Sequence, residues 1–241
     1  KMLQIDSLAI EVTRRCNMGC AHCMRGDAQQ KDMPDDILYD FLKQVSSIGC
    51  ITFTGGEPTL NIDTIWKTLL ICKEFRIPVN EFYIVTNGKE ITTEFLNTLI
   101  DWYVYCIECN GEPEMSGVAL SQDEFHEKIP YENVAKLRAL SFFCPDDKKT
   151  RNWGNTNVLD LGRARSLTGH EKRAHRAFDI AVTRYGEVYS IDDTTIALTV
   201  NGDVLRDCDY EYDNIDHIRL CDYKDFSETI QRIHNDPDFK C

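Results

Sequence analysis

The first hundred residues repeat one pattern three times: a short β-prone run, a polar turn, then apolar residues at helical spacing. "LAIEVT" (8–13) leads on to Leu38, Phe41, Leu42 and Val45, with Pro34, Asp35 and Asp36 placed as a first helical turn. "CITFT" (50–54) precedes Ile62, Ile65, Trp66, Leu69 and Leu70, and "FYIVT" (82–86) precedes Leu96, Leu99, Ile100 and Tyr103. Alternation with short connections admits few folds, because neighbouring parallel strands need a crossover, a helix supplies it, and its hand is right-handed. Periodicity leaves both an open sheet and a barrel available. In either, the loops beyond the C-terminal strand ends meet on one edge, and chemistry collects there.

The pattern continues beyond these units. "GVALSQDEFH" (117–126) reads as a fourth strand with a polar exit at Ser121 and Asp123, and "YENVAKLRAL" (131–140) as a helix. "TNVLDLGRAR" (156–165) reads as a fifth strand, with "CPDDKKTRNWGN" (144–155) as a surface loop before it. After residue 176 the texture turns to hairpins, with turn pairs at Asp192-Asp193 and Asn201-Gly202, and "FSETIQRIH" forms a last helix. The expected division is residues 1–176 as the main domain and 177–241 as a hairpin-rich extension.

"RRCNMGCAHCMRGD" (14–27) places three cysteines within eight positions just after the first strand. Thiolates are soft ligands suited to zinc or iron-sulfur clusters, and a closed site normally takes four. His22 is an awkward fourth zinc ligand because Cys23 adjoins it. A CxxxCxxC loop can instead seat three irons of a 4Fe-4S cube and leave the fourth iron to an outside ligand. The sequence holds 11 cysteines, and in a reducing compartment such usage points to metal or catalytic thiols before disulfides. Cys106 and Cys109 form a CxxC on a helix-like stretch and read as core, as do Cys50 and Cys72. Cys208, Cys221 and Cys241 are too widely spaced to suggest a second cluster.

The net charge of −13 argues against a surface built for nucleic-acid phosphates, where Lys and Arg displace counterions. No stretch approaches the roughly 20 apolar residues of a membrane helix, and the N-terminal residues lack the apolar run of a secretory signal, so a cytoplasmic location without a membrane partner is expected. Neither Lys1 nor Cys241 is read as a natural chain end.

Cys16, Cys20 and Cys23 in "CNMGCAHC", together with Gly55, Gly56, Glu57 and Pro58 in "GGEP", resemble the radical S-adenosylmethionine superfamily, over roughly residues 8–165. The resemblance implies a partial (β/α)6 TIM-like barrel, and the C-terminal β-hairpin and helix extension resembles a shortened SPASM or twitch type. It implies a 4Fe-4S cluster on Cys16, Cys20 and Cys23, with S-adenosyl-L-methionine chelating the open iron. His22 stands where the family usually has an aromatic residue and would pack beside the cluster. Gly55 and Gly56 would let the methionyl end approach bare backbone, with Glu57 adding negative charge near its ammonium. Asn87 would lie near the cosubstrate, Ser121 and Asp123 near the ribose, and Arg163 or Arg165 near the adenosine or the carboxylate. The implied activity is reductive cleavage of the cosubstrate and hydrogen abstraction from a peptide or small molecule, with electrons from a flavodoxin or ferredoxin. Modification of nucleosides or RNA is a second enzymatic possibility, and a cluster-bearing sensor without turnover a third.

Overall fold

The structure is a computed structural model describing residues 2–111, 113–144, 158–176 and 179–236. The main units are β1 (Met2–Thr13), α1 (Asp35–Leu42), β2 (Val45–Gly55), α2 (Ile62–Phe75), β3 (Val79–Thr86), α3 (Thr93–Asn110), β4 (Gly117–Leu120), α4 (Tyr131–Arg138) and β5 (Phe143–Cys144). The remainder comprises β6 (Val158–Leu159), β7 (Lys172–Arg173), β8 (Ala181–Tyr185), β9 (Val188–Leu198), β10 (Asp203–Leu205), β11 (Arg219–Asp222) and α5 (Phe226–Asn235). Local chemistry sets the helix ends. Asn61 caps α2 through Thr64 N–H, Thr92 caps α3 through Phe95 N–H at 3.1 Å, and α3 stops at Gly111, whose φ of 81° suits a residue without Cβ.

One sheet runs in the order β11-β10-β9-β1-β2-β3-β4-β5, with β8 folded back on β9. Strands β9, β1, β2, β3, β4 and β5 are mutually parallel, and α1 to α4 make the crossovers between β1 and β5. This is the mixed α/β, partial-barrel architecture expected from the alternation. β1 sits mid-sheet and is covered on both faces: Leu8 and Ile10 join the large core that includes Phe53, Phe82 and Trp102, while Ala9 joins a smaller one with Ala197, Leu205, Tyr210, Tyr212 and Ile218. Among the described residues, no helix is long and apolar enough to cross a membrane.

Two expectations are corrected. The fifth parallel strand is Phe143–Cys144, paired to Val118 and Ala119 of β4; Val158–Leu159 instead pairs with β7 in a separate two-stranded sheet. Among the described residues of "TNVLDL", Val158 and Leu159 form strand before the chain turns at Asp160, whereas "FFC" follows α4 after three intervening residues and reaches the edge of β4. The pair Asp192-Asp193 makes no turn but lies inside β9, where Asp193 at φ 57° accompanies a register slip between Ile5 and Ser7 of β1. The Asp192 carboxylate is held by Ser190 Oγ at 2.6 Å and by Thr183 Oγ1 of β8 at 3.0 Å. The turn after β8 forms at Gly186 (φ 63°), while Asn201-Gly202 does close the β9–β10 hairpin, with Gly202 at φ 85°. Most of the expected loop at 144–155 lies outside the described residues, as does Cys241. Strands β9, β10 and β11 continue the main sheet, β9 pairing along β1.

Candidate active site

The exits of β1, β2, β3 and β4 carry the cysteine loop, Gly55–Pro58, Asn87–Lys89 and Ser121–His126, and parallel strands place them at one end of the sheet. They surround a cavity of about 1150 Å³, lined among others by Cys16, Cys20, Cys23, His22, Gly55, Gly56, Glu57, Asn87, Ser121, Asp123 and Arg163, with Arg165, the alternative to Arg163, outside the lining.

The cysteine loop is tied down on three sides. At its start, Thr13 Oγ1 and Arg15 Nε both donate to Asp32 Oδ1, at 2.6 and 2.8 Å. From the β3 exit, Asn87 Nδ2 donates to Asn17 Oδ1 and Lys89 Nζ to the Asn17 carbonyl, both at 2.8 Å. At its end, Arg163 N–H donates to Cys23 O at 2.9 Å and Arg163 Nε to Cys20 O at 3.0 Å. Gly162 makes this clamp possible: it sits at φ 52°, and a Cβ there would lie 2.5 Å from the carbonyl oxygens of Cys23 and Met24. Arg163 therefore grips the loop backbone from the cavity wall, and Arg165 turns away to Glu211 at 3.0 Å.

The three thiols are free and half-buried. Burial pushes the Cys16 thiol up, helped by Glu57 and Cys23 and opposed by an N–H of Met18; burial, then Cys16 and Cys23, push up Cys20. A shared cationic centre would relieve the upward push on Cys16 and Cys20, because it favours the thiolate.

Gly55 and Gly56 owe their identity first to the fold. A Cβ on Gly55, at φ 142°, would fall 2.1 Å from Thr13 O, and one on Gly56 would fall 2.2 Å from Arg15 O. That close approach lets Gly56 N–H donate to Thr13 O and Glu57 N–H to Arg15 O, each at 2.8 Å, stitching the second exit to the cysteine loop. Glu57 is 2% exposed. Its Oε1 accepts from Thr59 N–H, Thr59 Oγ1 and Thr86 Oγ1 at 3.2, 2.9 and 2.7 Å, and its Oε2 accepts from Asn87 N–H at 2.8 Å. Burial raises its carboxyl above the usual range although these donors pull it down. Both oxygens being engaged, Glu57 reaches the cavity through its charge and through the loops it pins together.

On the β4 side, Asp123 accepts from His126 Nδ1 at 2.7 Å and from Phe125 N–H at 2.8 Å, and pairs with His22 Nε2 at 3.3 Å. Burial pushes Asp123 up, but these hydrogen bonds and the two imidazoles outweigh it and leave its carboxyl low. His22 stacks on Phe125 with ring centroids 4.6 Å apart, and burial lowers its pKa. The His22–Phe125 pair gives the cavity a flat aromatic wall.

Sequence reasoning passed over Arg14, Arg25, Asp209 and Tyr212, which also line the cavity. The doubled arginine before Cys16 was the available signal for Arg14. The others come from the far end of the cysteine loop and from the 206–212 loop, whose approach is a tertiary matter. Cys72 and Cys106 are buried as expected, Cys50 and Cys109 half-buried.

Residues 10–110 match the family model of the Radical SAM superfamily, and over that span the chain is similar to enzymes whose cofactors are a 4Fe-4S cluster and S-adenosylmethionine. Among curated relatives, the chain is 31% identical over 90 residues to the uncharacterized protein MJ0907 of Methanocaldococcus jannaschii, spanning 36% of this chain and 32% of that one. It is 27% identical over 203 residues to a GTP 3',8-cyclase of Clostridium perfringens, spanning 66% and 62%. It is 28% identical over 144 residues to an S-adenosylmethionine-dependent nucleotide dehydratase of Flammeovirga pacifica, spanning 54% and 47%. Each match takes in less than two thirds of the relative's length. Among solved structures, anSMEcpe with bound AdoMet superposes with a TM-score of 0.56 at 14% identity, over 94% of this chain and 80% of that one, a likeness of fold.

The residues present fit the superfamily's cofactors. Three thiols face one cavity, and among the described residues no metal-ligand group is formed with a fourth protein side chain, His22 Nε2 being engaged by Asp123. The cavity also exceeds the upper end of the range usual for one small ligand, about 1,000 Å³.

Proposed function

We propose that this chain is a radical S-adenosylmethionine enzyme acting on a small molecule, with a nucleotide the favoured class. The observation that carries the reading is the convergence of three half-buried free thiols with the exits of β2, β3 and β4 on one cavity. Cys16, Cys20 and Cys23 would hold the cluster. The backbone at Gly55–Glu57, Asn87, Ser121 and Asp123 would hold the cosubstrate, with the ring of His22 beside it. When bound, these cofactors supply a one-electron cleavage of the sulfonium, giving methionine and a 5'-deoxyadenosyl radical able to take hydrogen from an unreactive C–H bond.

The protein's part is to position and to exclude water. Arg163 and Asn87 fix the loop that presents the thiols, Glu57 locks the second and third exits in register, and Asp123, held by two imidazoles, presents a low-pKa acceptor toward the cavity. The relatives named as a GTP 3',8-cyclase and a nucleotide dehydratase support a nucleotide over a peptide. The chain's acidity disfavours RNA. An electron donor of the flavodoxin or ferredoxin kind belongs to the same reading.

Anaerobic reconstitution followed by S-adenosylmethionine and dithionite tests it. The expected result is close to four irons per chain and formation of 5'-deoxyadenosine, lost in Cys20→Ala and kept in Cys106→Ala. Zinc in place of iron, or a reconstituted protein that leaves S-adenosylmethionine intact, refutes it and favours a sensor.

A further inference from the structure

Arg14, Arg25 and Tyr212, which line the cavity, belong to a buried cluster with Glu11 and Tyr210 that none of the proposed cofactor contacts uses. Glu11, Arg14 and Arg25 are 0%, 1% and 5% exposed, and the 206–212 loop closes over them. The Arg14 guanidinium lies 4.4 Å from the ring centre of Tyr212, and that of Arg25 lies 3.8 Å from the ring centre of Tyr210.

The hydrogen-bond account here does not close. Among the described residues, five buried side-chain N or O atoms have no partner; four of them are Glu11 Oε1, Arg14 Nη2, Tyr210 Oη and Tyr212 Oη, and the fifth, Nδ1 of His22, belongs to the same cavity. Buried polar atoms are rarely left so, and each costs about 1–3 kcal/mol when orphaned. Their gathering at one place calls for a polar guest.

The charge account points the same way. Arg14 is matched by Glu11, its Nε donating to Oε2 at 3.1 Å, and that oxygen also takes Val200 N–H at 2.9 Å. Arg25 forms no ion pair among the described residues: Nη1 donates to Tyr210 O at 3.1 Å and Nη2 to Thr54 Oγ1 at 3.4 Å. Asp209 also lines the cavity, and burial pushes its carboxyl up against the pull of Arg25; Arg173 is a further lining residue. Three of the four orphaned atoms can donate, and they lie in the same cluster as a guanidinium that forms no ion pair among the described residues. An oxyanion answers both deficits.

We propose that Arg14, Arg25 and Tyr212, backed by Tyr210, form the anchor for an oxyanion, phosphate or carboxylate, carried by the substrate. The proposal rests on the reading of the chain as a small-molecule radical enzyme and names the group by which that molecule is held. Arg14 Nη2 and Tyr212 Oη are the unpartnered donors on the cavity lining that such a group would take, beside Arg25. The cationic cosubstrate and the anionic substrate group would then occupy opposite walls, the first near Glu57 and Asp123, the second near Arg25.

The test uses the reconstituted protein with S-adenosylmethionine bound and no reductant, titrated calorimetrically with inorganic pyrophosphate, GTP and glutarate. Saturable binding by at least one probe is expected, the pyrophosphate and glutarate arms separating phosphate from carboxylate, with affinity falling about tenfold or more in Arg25→Gln and in Tyr212→Phe. Because Tyr212→Phe removes an orphaned hydroxyl, its melting temperature without probe should equal or exceed that of the wild type, so weaker binding there is not a folding defect. The proposal is overturned if no probe binds, if both variants bind as wild type does, or if Arg25→Gln loosens S-adenosylmethionine in place of the probes. Formation of 5'-deoxyadenosine by the wild type is measured alongside, so that a failed anchor is told apart from a failed enzyme.

Discussion

Replacing Gly56 by alanine puts a methyl carbon 2.2 Å from Arg15 O and 2.7 Å from Arg15 C. Both atoms are backbone, so a side chain cannot swing away to relieve the contact. Restoring a normal separation needs about 1 Å of movement between the β2 exit and the cysteine loop, an overpacking that costs roughly 1–3 kcal/mol. The same movement weakens Gly56 N–H to Thr13 O and Glu57 N–H to Arg15 O, both 2.8 Å, at about 1 kcal/mol each. The sum, about 3–5 kcal/mol, lowers the melting temperature of a chain this long by roughly 6–20 °C. Gly19, inside the cysteine loop, provides the control, because a Cβ there meets nothing within 4 Å. Thermal unfolding of the metal-free protein followed by circular dichroism, with iron content after anaerobic reconstitution, decides the matter. Gly56→Ala should melt well below wild type and load iron poorly, while Gly19→Ala should match wild type within a few degrees. If the glycine served only to make room for a cosubstrate, metal-free Gly56→Ala would be as stable as wild type; that result would refute the steric argument.

Arg163→Ala removes the clamp on Cys20 O. With Arg163 about one third exposed, the loss is discounted to about 1 kcal/mol, a fall of roughly 2–4 °C, accompanied by slower iron loading in a time course of cluster absorbance; unchanged loading would count against the clamp. Burial pushes the thiols of Cys50 and Cys208 to about 11 and that of Cys106 to about 12. Thiols react as thiolates, so iodoacetamide at pH 8 should leave these three largely unmodified by peptide mass mapping while denatured protein reacts throughout; rapid labelling of Cys106 in folded protein would contradict its burial.

The strand and helix units up to α4 were legible because of a strong period and chemical punctuation marks, such as Pro34, Asp35 and Asp36 opening α1 or Asn87-Gly88 after β3. The cysteine loop and the GGEP turn were legible for a similar reason: residues that meet at one sheet end are predicted to meet once the strands are known to be parallel. Phe143–Cys144 was missed because two residues hold no period, and only the open edge of β4 makes them a strand. Asp192-Asp193 misled because its turn chemistry is real but is satisfied by Ser190 and Thr183 within a strand pair.

The sequence by itself determined the parallel α/β architecture and the three-thiol loop, since both are written in short-range spacing. The tertiary structure alone decided that β9 pairs with β1, that Glu57 braces two strand exits, and that Arg25, with no ion pair among the described residues, lies against Tyr210. Those facts depend on contacts between residues up to 189 positions apart, as between Glu11 and Val200. Local propensity carries no record of such pairings, because what selects them is the burial and hydrogen-bond account of the whole fold.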